Sequence, residues 1–350
     1  MPGWETDDHA SAFAAFLRSA RQMVQQPPRD GWLGVHGRDL QRIARAALVL
    51  DGAKDPLKAR QFFETWFQPV SVLPRAEQPF LTGYFEPEVG GSLTPSDHFR
   101  YPLFKRPADL VDVTDANRPE GFDAAYMFAR ATGDGLRPYF DRSEIEDGAL
   151  AGRGLELVYL ADPVDVFFIH VQGSATIRLA DRRMRVAYAA KAGHPYTSIG
   201  KRLIEQGLAT PETMTLDSLR RWLKDHPDDG ARLMRLNRSY VFFRELDQAG
   251  LDPDLGAIAA AGVQITPGRS LAVDHRLHAY GTPVWIEADL PIGDTGQLIR
   301  VHRLLIAQDT GSAIVGAARG DLFCGLGASA GKRAGCIRHI PRTFVMLKPI

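Results

Sequence analysis

Apolar positions along this chain fall into two textures, a three-and-four spacing near the start and again past residue 198, and short apolar runs elsewhere. From Asp7 to Met23 the pattern DDHASAFAAFLRSARQM sets Phe13, Phe16 and Leu17 on one helical face, with acidic residues in the first turn where they complement the helix dipole. Arg38–Leu50 and Pro56–Phe67 repeat the helical spacing. Pro56 takes a first-turn position, and Phe62, Phe63, Trp66 and Phe67 form an aromatic stripe that reads as core. After Pro69 the runs FLTGYFEPEVGGSLT, RYPLFKRP, GLELVYLADPVDVFFIHVQGSATIRL and RVAYAAKAGHP, broken by Pro and Gly, predict strands and turns. Helical spacing returns over Ser198–Gly207, Thr215–His226 and Asp228–Leu236. From Tyr240 the strand texture resumes through SYVFFREL, AVDHRLHAYGTPVWIEADL, LIRVHRLLIAQDTG and TFVMLKPI. Strands on both sides of a helical patch predict a mainly β protein with one domain inserted into another.

Composition narrows the class without changing that picture. A chain of 350 residues exceeds the length at which one core keeps growing, so two domains are expected. With 45% apolar and 24% charged residues it reads as globular, and no segment approaches the roughly 20 apolar residues of a membrane span. Lys+Arg and Asp+Glu balance at 42 each without a polybasic cluster, which argues against nucleic acid as a partner. Ten histidines offer no HExxH, and His275 and His278, three apart in a strand-like context, point to opposite faces, so no metal is expected. Nucleotide loops and the GxSxG elbow are absent, and no cofactor is expected. The two cysteines, Cys324 and Cys336, fit either a bridge over a short loop or two unpaired thiols. The opening MPGWETDDHASAF lacks the basic and apolar regions of a signal peptide.

Candidate chemistry concentrates in Gln308–Phe323, QDTGSAIVGAARGDLF, where Asp309 follows a predicted strand over Leu298–Ala307 and Asp321 opens another after the break at Arg319-Gly320. Asp309-Thr310-Gly311-Ser312 is also the form in which aspartic proteases present a carboxylate. The second such tripeptide, Asp294-Thr295-Gly296, lies only 15 positions away with no lobe-length repeat around it, and it reads as a hairpin turn. On spacing alone, the favoured reading of each aspartate is a turn cap.

Several longer segments bear on that choice. AVD at Ala272–Asp274, GTPVWIE at Gly281–Glu287, AQDTGSAIVG and GDLF together resemble the three-aspartate domain, whose aspartates fall here on Asp274, Asp309 and Asp321. Upstream, LTGYFEP, YPLFKRP, GLELVYLADPVDVFFIHVQGSATI, GHPYTSIGK and TPGRSLAVD are similar to the membrane-bound lytic transglycosylase A (MltA) family, over nearly the whole chain and in the family's order. Ser312 stands where the family commonly has a second glycine, Cys324 where it has an aromatic, and the family's lipid-attachment cysteine has no match.

The resemblance implies a double-psi β-barrel domain, residues 1–98 and 241–350, with a second β-barrel-like domain inserted at 99–240 and peripheral α-helices. It implies cleavage of the N-acetylmuramic acid–N-acetylglucosamine bond of peptidoglycan glycan strands to 1,6-anhydromuramoyl ends, with Asp321 as the single catalytic acid and base. An intramolecular attack by the sugar's own hydroxyl needs one carboxylate where ordinary glycosidases need two. For that role the pKa of Asp321 must rise, by desolvation from Leu322, Phe323 and Leu304–Ala307 and by the charge of Asp309. Asp309 is then an electrostatic or substrate-binding partner, and Asp274 a supporting hydrogen-bonding residue at a barrel turn. Thr82, Gly83, Tyr84 and Glu86 are expected to line a glycan groove between the domains, with Gln172 and Ser174 on its other wall. The resemblance also implies a monomer in the periplasm of a Gram-negative bacterium, with outer-membrane association and the cell-wall synthesis or division machinery as candidate connections. Two rivals stay open: a non-catalytic glycan-binding barrel similar to expansins, and an aspartic protease built on Asp309-Thr310-Gly311.

Overall fold

A computed structural model describes residues 1–50, 55–74, 77–123, 126–211, 213–291 and 297–350. The chain divides into two compact units, one formed by Met1–Glu86 with Gly250–Ile350 and the other by Pro87–Ala249.

The first unit begins with three helices, α1 (His9–Gln25), α2 (Gly37–Leu48) and α3 (Pro56–Trp66). Asp8 caps α1 by accepting the Ser11 amide at 3.0 Å. Asp7 stays outside the helix rather than in its first turn. It accepts from Arg269 at 2.8 Å and from the Leu304 amide at 2.8 Å, tying the helix entrance to the sheet. Phe13 and Phe16 on α1 meet Phe62 and Phe63 on α3, the Phe13 and Phe62 rings lying 4.9 Å apart edge to face. Burial of each such side chain contributes about 1.5–3 kcal/mol.

The strands of this unit are β1 (Phe67–Ser71), β2 (Phe80–Glu86), β3 (Ser270–Val273), β4 (Pro283–Pro291), β5 (Leu298–Asp309), β6 (Arg319–Leu326), β7 (Arg338–His339) and β8 (Thr343–Pro349). They form one sheet in the order β1-β8-β4-β5-β3-β6-β2-β7. The β3–β5 and β6–β2 pairs are parallel and the others antiparallel, so strands distant in sequence lie side by side, as the double-psi barrel requires. Asp294-Thr295-Gly296, read as a hairpin turn, lies outside the described residues; beyond it Pro291 on β4 pairs with Leu298 on β5. A fourth helix, α4 (Gly327–Cys336), was not expected from the sequence. Its glycines and alanines let it lie flat on β2, where a Cβ on Gly83 would come within 2.8 Å of the Ala334 backbone.

The inserted unit carries a six-stranded sheet in the order Val241–Glu245, Arg183–Lys191, Ser174–Arg178, Glu88–Ser92, Glu156–Leu160, Tyr101–Phe104. A bridge between Lys105 and Phe243 joins its first and last strands, giving a barrel-like closure over Leu103, Val158, Ile177, Val186 and Phe243. The unit's limits differ from 99 and 240, because Glu88–Ser92 pairs with Ser174–Arg178 and Val241–Glu245 pairs with Arg183–Lys191. The expected strand through VDVFFIHVQ is instead a helix, Pro163–Gln172. Asp162 caps it by accepting the Val164 amide at 2.8 Å, Pro163 occupies the first turn, and Gly173 ends it at φ 80°. These start and stop signals override the continuous apolar run between them.

Candidate active site

Strand register brings the site together. Ala272 on β3 lies opposite Asp321 on β6 and opposite Asp309 on β5, so the two aspartates flank one small residue across two strand spacings, about 10 Å between Cα atoms. Asp321 in turn lies opposite Thr82 on β2. The alignment of Asp309 depends on a bulge: Leu271 pairs with Ala307 but Ala272 pairs with Asp309, leaving Gln308 as the extra residue. Gln308 is fully buried and donates to the Ala15 carbonyl at 2.9 Å and to the Ser19 hydroxyl at 2.8 Å, so α1 holds the bulge.

Alternation along β2 sends Thr82 and Tyr84 to the same face, one toward each aspartate. The Thr82 hydroxyl donates to Asp321 Oδ1 at 2.6 Å and accepts from Arg319 Nη2 at 2.7 Å. A hydroxyl has a single proton, so one that accepts from a guanidinium and donates to Oδ1 leaves Oδ2 as the oxygen that carries the proton of a protonated Asp321. Oδ2 has no hydrogen-bond partner among the described residues. Burial is the largest influence on this carboxyl and raises it above the usual carboxylate range, against the charge of Arg319 and the Thr82 hydrogen bond.

Asp309 is held differently. Its Oδ2 accepts from the Tyr84 hydroxyl at 2.9 Å, and its Oδ1 accepts from the Thr310 amide at 2.8 Å and the Ala260 amide at 3.3 Å. Burial nevertheless pushes it up to about 6, and the charge of Asp321 adds to the rise. Burial and Asp309 together raise the Tyr84 phenol, which stays a neutral donor, and its ring lies 5.2 Å from that of Phe323.

The remaining expected residues have other places. Asp274, 3% exposed, accepts from the Arg276 and Gly316 amides, each at 3.1 Å, and from the Arg276 guanidinium. It ties the turn after β3 to the loop joining the two aspartate-bearing strands. Burial pushes this carboxyl up, but those hydrogen bonds win and hold it low. His275 and His278 sit in that turn rather than in a strand. Gly83 has a Cα hydrogen toward α4, and Glu86, 1% exposed, accepts the Ala257 amide at 2.8 Å, so Glu86 does not line an open surface as expected. Gln172 ends its helix and Ser174 begins the next strand, both in the inserted unit. Cys324 and Cys336 are free thiols, the first buried and the second exposed. Among the described residues no group of His, Cys, Asp and Glu is placed to hold a metal ion. Arg319, read from sequence as part of a break, starts β6 and enters the site. A lone Arg before Gly carries no motif that announces this.

Residues 80–244 match the family model described as the MltA specific insert domain, and residues 269–347 that of the 3D domain. A membrane-bound lytic murein transglycosylase A of Vibrio cholerae serotype O1 is 34% identical over 269 residues, 75% of this chain and 64% of that protein. Its Escherichia coli K12 counterpart is 32% identical over 271 residues, 76% of this chain and 65% of that one. The chain thus spans slightly less than two thirds of these curated relatives. Among solved structures, the membrane-bound lytic murein transglycosylase from Agrobacterium tumefaciens aligns with a TM-score of 0.92 at 41% identity, over 100% of this chain and 95% of that one. E. coli MltA with bound chitohexaose aligns with a TM-score of 0.67 at 26% identity, over 96% of this chain and 90% of that one. With both family models matched in order and the fold shared over its length with a structure 41% identical, the chain belongs to the membrane-bound lytic murein transglycosylase A family.

Proposed function

We propose that this protein is a lytic transglycosylase that cleaves the β-1,4 bond between N-acetylmuramic acid and N-acetylglucosamine in peptidoglycan and leaves 1,6-anhydromuramoyl ends. The observation that carries the reading is the inequality of the two site carboxylates. Both oxygens of Asp309 are hydrogen-bonded, whereas Asp321 presents Oδ2 and has a raised pKa. A hydrolase of the usual kind needs two available carboxylates; here one is available. Asp321 gives the Oδ2 proton to the glycosidic oxygen as the bond to the muramic acid anomeric carbon breaks. The 6-hydroxyl of the same sugar then attacks that carbon and returns its proton to Asp321, so no water is consumed and the acid is regenerated. Holding nucleophile and electrophile in one sugar replaces the entropic cost of positioning a water. The chitohexaose in the E. coli relative supports a glycan chain as the ligand.

All four groups, Thr82, Tyr84, Asp309 and Asp321, come from one unit of one chain, which supports a monomer as the working form. The membrane-bound relatives support a periplasmic, outer-membrane-associated address, where the cell-wall synthesis or division machinery is the proposed company. No helix among the described residues is long and apolar enough to cross a membrane.

Incubation with purified sacculi and mass spectrometry of the released muropeptides tests the proposal. Anhydro ends from the wild type and none from Asp321→Asn are expected. Reducing ends, or equal release by the variant, overturn the mechanism. Binding to sacculi without release marks the expansin-like alternative, and digestion of casein blocked by a pepstatin-like inhibitor marks the protease.

A further inference from the structure

The inserted unit holds a cavity of about 610 Å³ of its own, at the seam where its sheet closes through the Lys105–Phe243 bridge. Leu157, Ala189 and the ring of Tyr188 provide apolar wall, and four charged side chains provide most of the rest. Two of those four are already neutralised. Arg106 donates to Asp112 at 2.7 Å, and Glu245 accepts from Arg182 at 2.7 Å. Lys105 and Arg244, both exposed, have no ion-pair partner among the described residues, and the Tyr188 hydroxyl has no hydrogen-bond partner among them. The cavity therefore presents two unspent positive charges and a phenol beside an apolar wall. It also adjoins the HVQGSA segment, because the Tyr188 amide donates to the Gly173 carbonyl at 2.8 Å and Ala187 pairs with Ser174.

Charge chooses the ligand. A plain N-acetylglucosamine oligomer is neutral and gives Lys105 and Arg244 nothing to pair with. Peptidoglycan differs from such an oligomer in the short stem peptide on its muramic acid, which carries several carboxylates and is extended enough to lie along a sheet seam. We propose that the seam cavity of the inserted unit is a binding site for the stem peptide, with Lys105 and Arg244 taking its carboxylates, Tyr188 donating to a carbonyl or carboxylate, and Leu157 and Ala189 receiving its alanyl side chains. This deepens the transglycosylase reading and rests on it for the identity of the ligand. Paired to carboxylates, the two cations form charge-assisted hydrogen bonds that chloride in solution competes with, so binding weakens as salt rises.

The test separates the site from the turnover. The intact protein is titrated with free L-alanyl-γ-D-glutamyl-diaminopimelyl-D-alanine by calorimetry or amide NMR, in the wild type and in the Lys105→Glu/Arg244→Glu and Lys105→Gln/Arg244→Gln double variants. Expected are saturable binding to the wild type, loss of at least tenfold in affinity in both variants, and chemical-shift changes centred on Tyr188 and Phe243. Absence of binding by the wild type, unchanged affinity in the variants, or equal binding of tetraglutamate overturns the proposal whatever the protein does to sacculi. In parallel, KM for intact sacculi is expected to rise several-fold in the variants, with KM for strands stripped of peptide by an amidase unchanged. An equal rise on both substrates overturns the assignment to the peptide. Failure of the wild type to release anhydro ends tells against the transglycosylase reading alone, since peptide binding is read without turnover.

Discussion

Replacing Thr82 by Val tests the coupling among Arg319, Thr82 and Asp321 without altering the acid itself. The variant keeps the shape of the side chain but removes the proton donated to Asp321 Oδ1 at 2.6 Å and the acceptor used by Arg319 at 2.7 Å. Donation to Oδ1 favours the carboxylate, so its loss raises the Asp321 pKa further, in the same direction as burial already pushes it. A hydrogen bond to a charged group contributes about 1.5–3 kcal/mol, which at about 1.36 kcal/mol per unit corresponds to roughly one to two units. Because Asp321 is only partly buried, the lower end is expected. The acid is active while protonated, so the alkaline limb of kcat/KM, which reports the free enzyme, moves up by about one unit. Thr82→Ser keeps the donor and returns the limb to the wild-type position. Arg319→Met withdraws a positive charge that also favours the carboxylate and moves the limb upward as well. Anhydromuropeptide release measured across pH on solubilised glycan strands reads all three variants. An alkaline limb that stays put or moves down in a folded Thr82→Val protein refutes the assignment of the proton to Oδ2 and the role of the relay.

Asp309, raised from 3.8 to about 6, contributes stability that is present below pH 3.8 and lost as pH rises through 6. At about 1.4 kcal/mol per unit that is up to about 3 kcal/mol, so urea unfolding of the wild type and Asp309→Asn should diverge between pH 4 and 7, and a pH-independent difference counts against it. Gly83→Ala puts a methyl 2.8 Å from the Ala334 backbone and 3.1 Å from Cys324 Sγ; overpacking of about 1–3 kcal/mol is expected in denaturant titration, and wild-type stability would show that α4 yields freely. Cys336 is exposed, whereas burial pushes the Cys324 thiol up to about 12. A thiol reagent should therefore titrate one sulfhydryl in the native protein and two in denaturant, and prompt reaction of both would contradict the burial of Cys324.

The elements legible in the sequence are those whose signals are local. Helices α1 to α3 follow from their apolar spacing, and β5 from a β-branched run ended by Asp-Thr-Gly. Thr82, Tyr84, Asp309 and Asp321 stood out through motifs. Local signals failed where a tertiary neighbour decides the outcome. The Pro163–Gln172 helix is apolar on nearly every face because it is buried on nearly every face, which removes the periodicity that distinguishes helix from strand. Helix α4 is too rich in Gly and Ala to show an apolar stripe, and it stands because it lies flat against β2. Glu86 shares the motif of Thr82 and Tyr84, yet it spends its charge on the Ala257 amide, a partner 171 positions away.

The ranking proposed for the two aspartates rests on geometry that spacing, which favours a turn cap for either, does not carry. They stand symmetrically about Ala272, and both are desolvated enough to have raised pKa values. What separates them is the number of donors the fold aims at each. The bulge at Gln308, held from α1, brings Asp309 level with Ala272 at the very end of β5, where the next residue's amide and the loop at Ala260 both reach it and Tyr84 closes the second oxygen. Asp321 lies within β6, its own backbone engaged in the ladder, and receives one side-chain donor, Thr82, whose orientation Arg319 dictates. A carboxylate with donors on both of its oxygens is held in place and is poorly placed to exchange a proton with a ligand; one with a free oxygen in a desolvating wall can do so in both directions. The proposed division of labour therefore rests on one extra residue in β5 and one hydroxyl on β2.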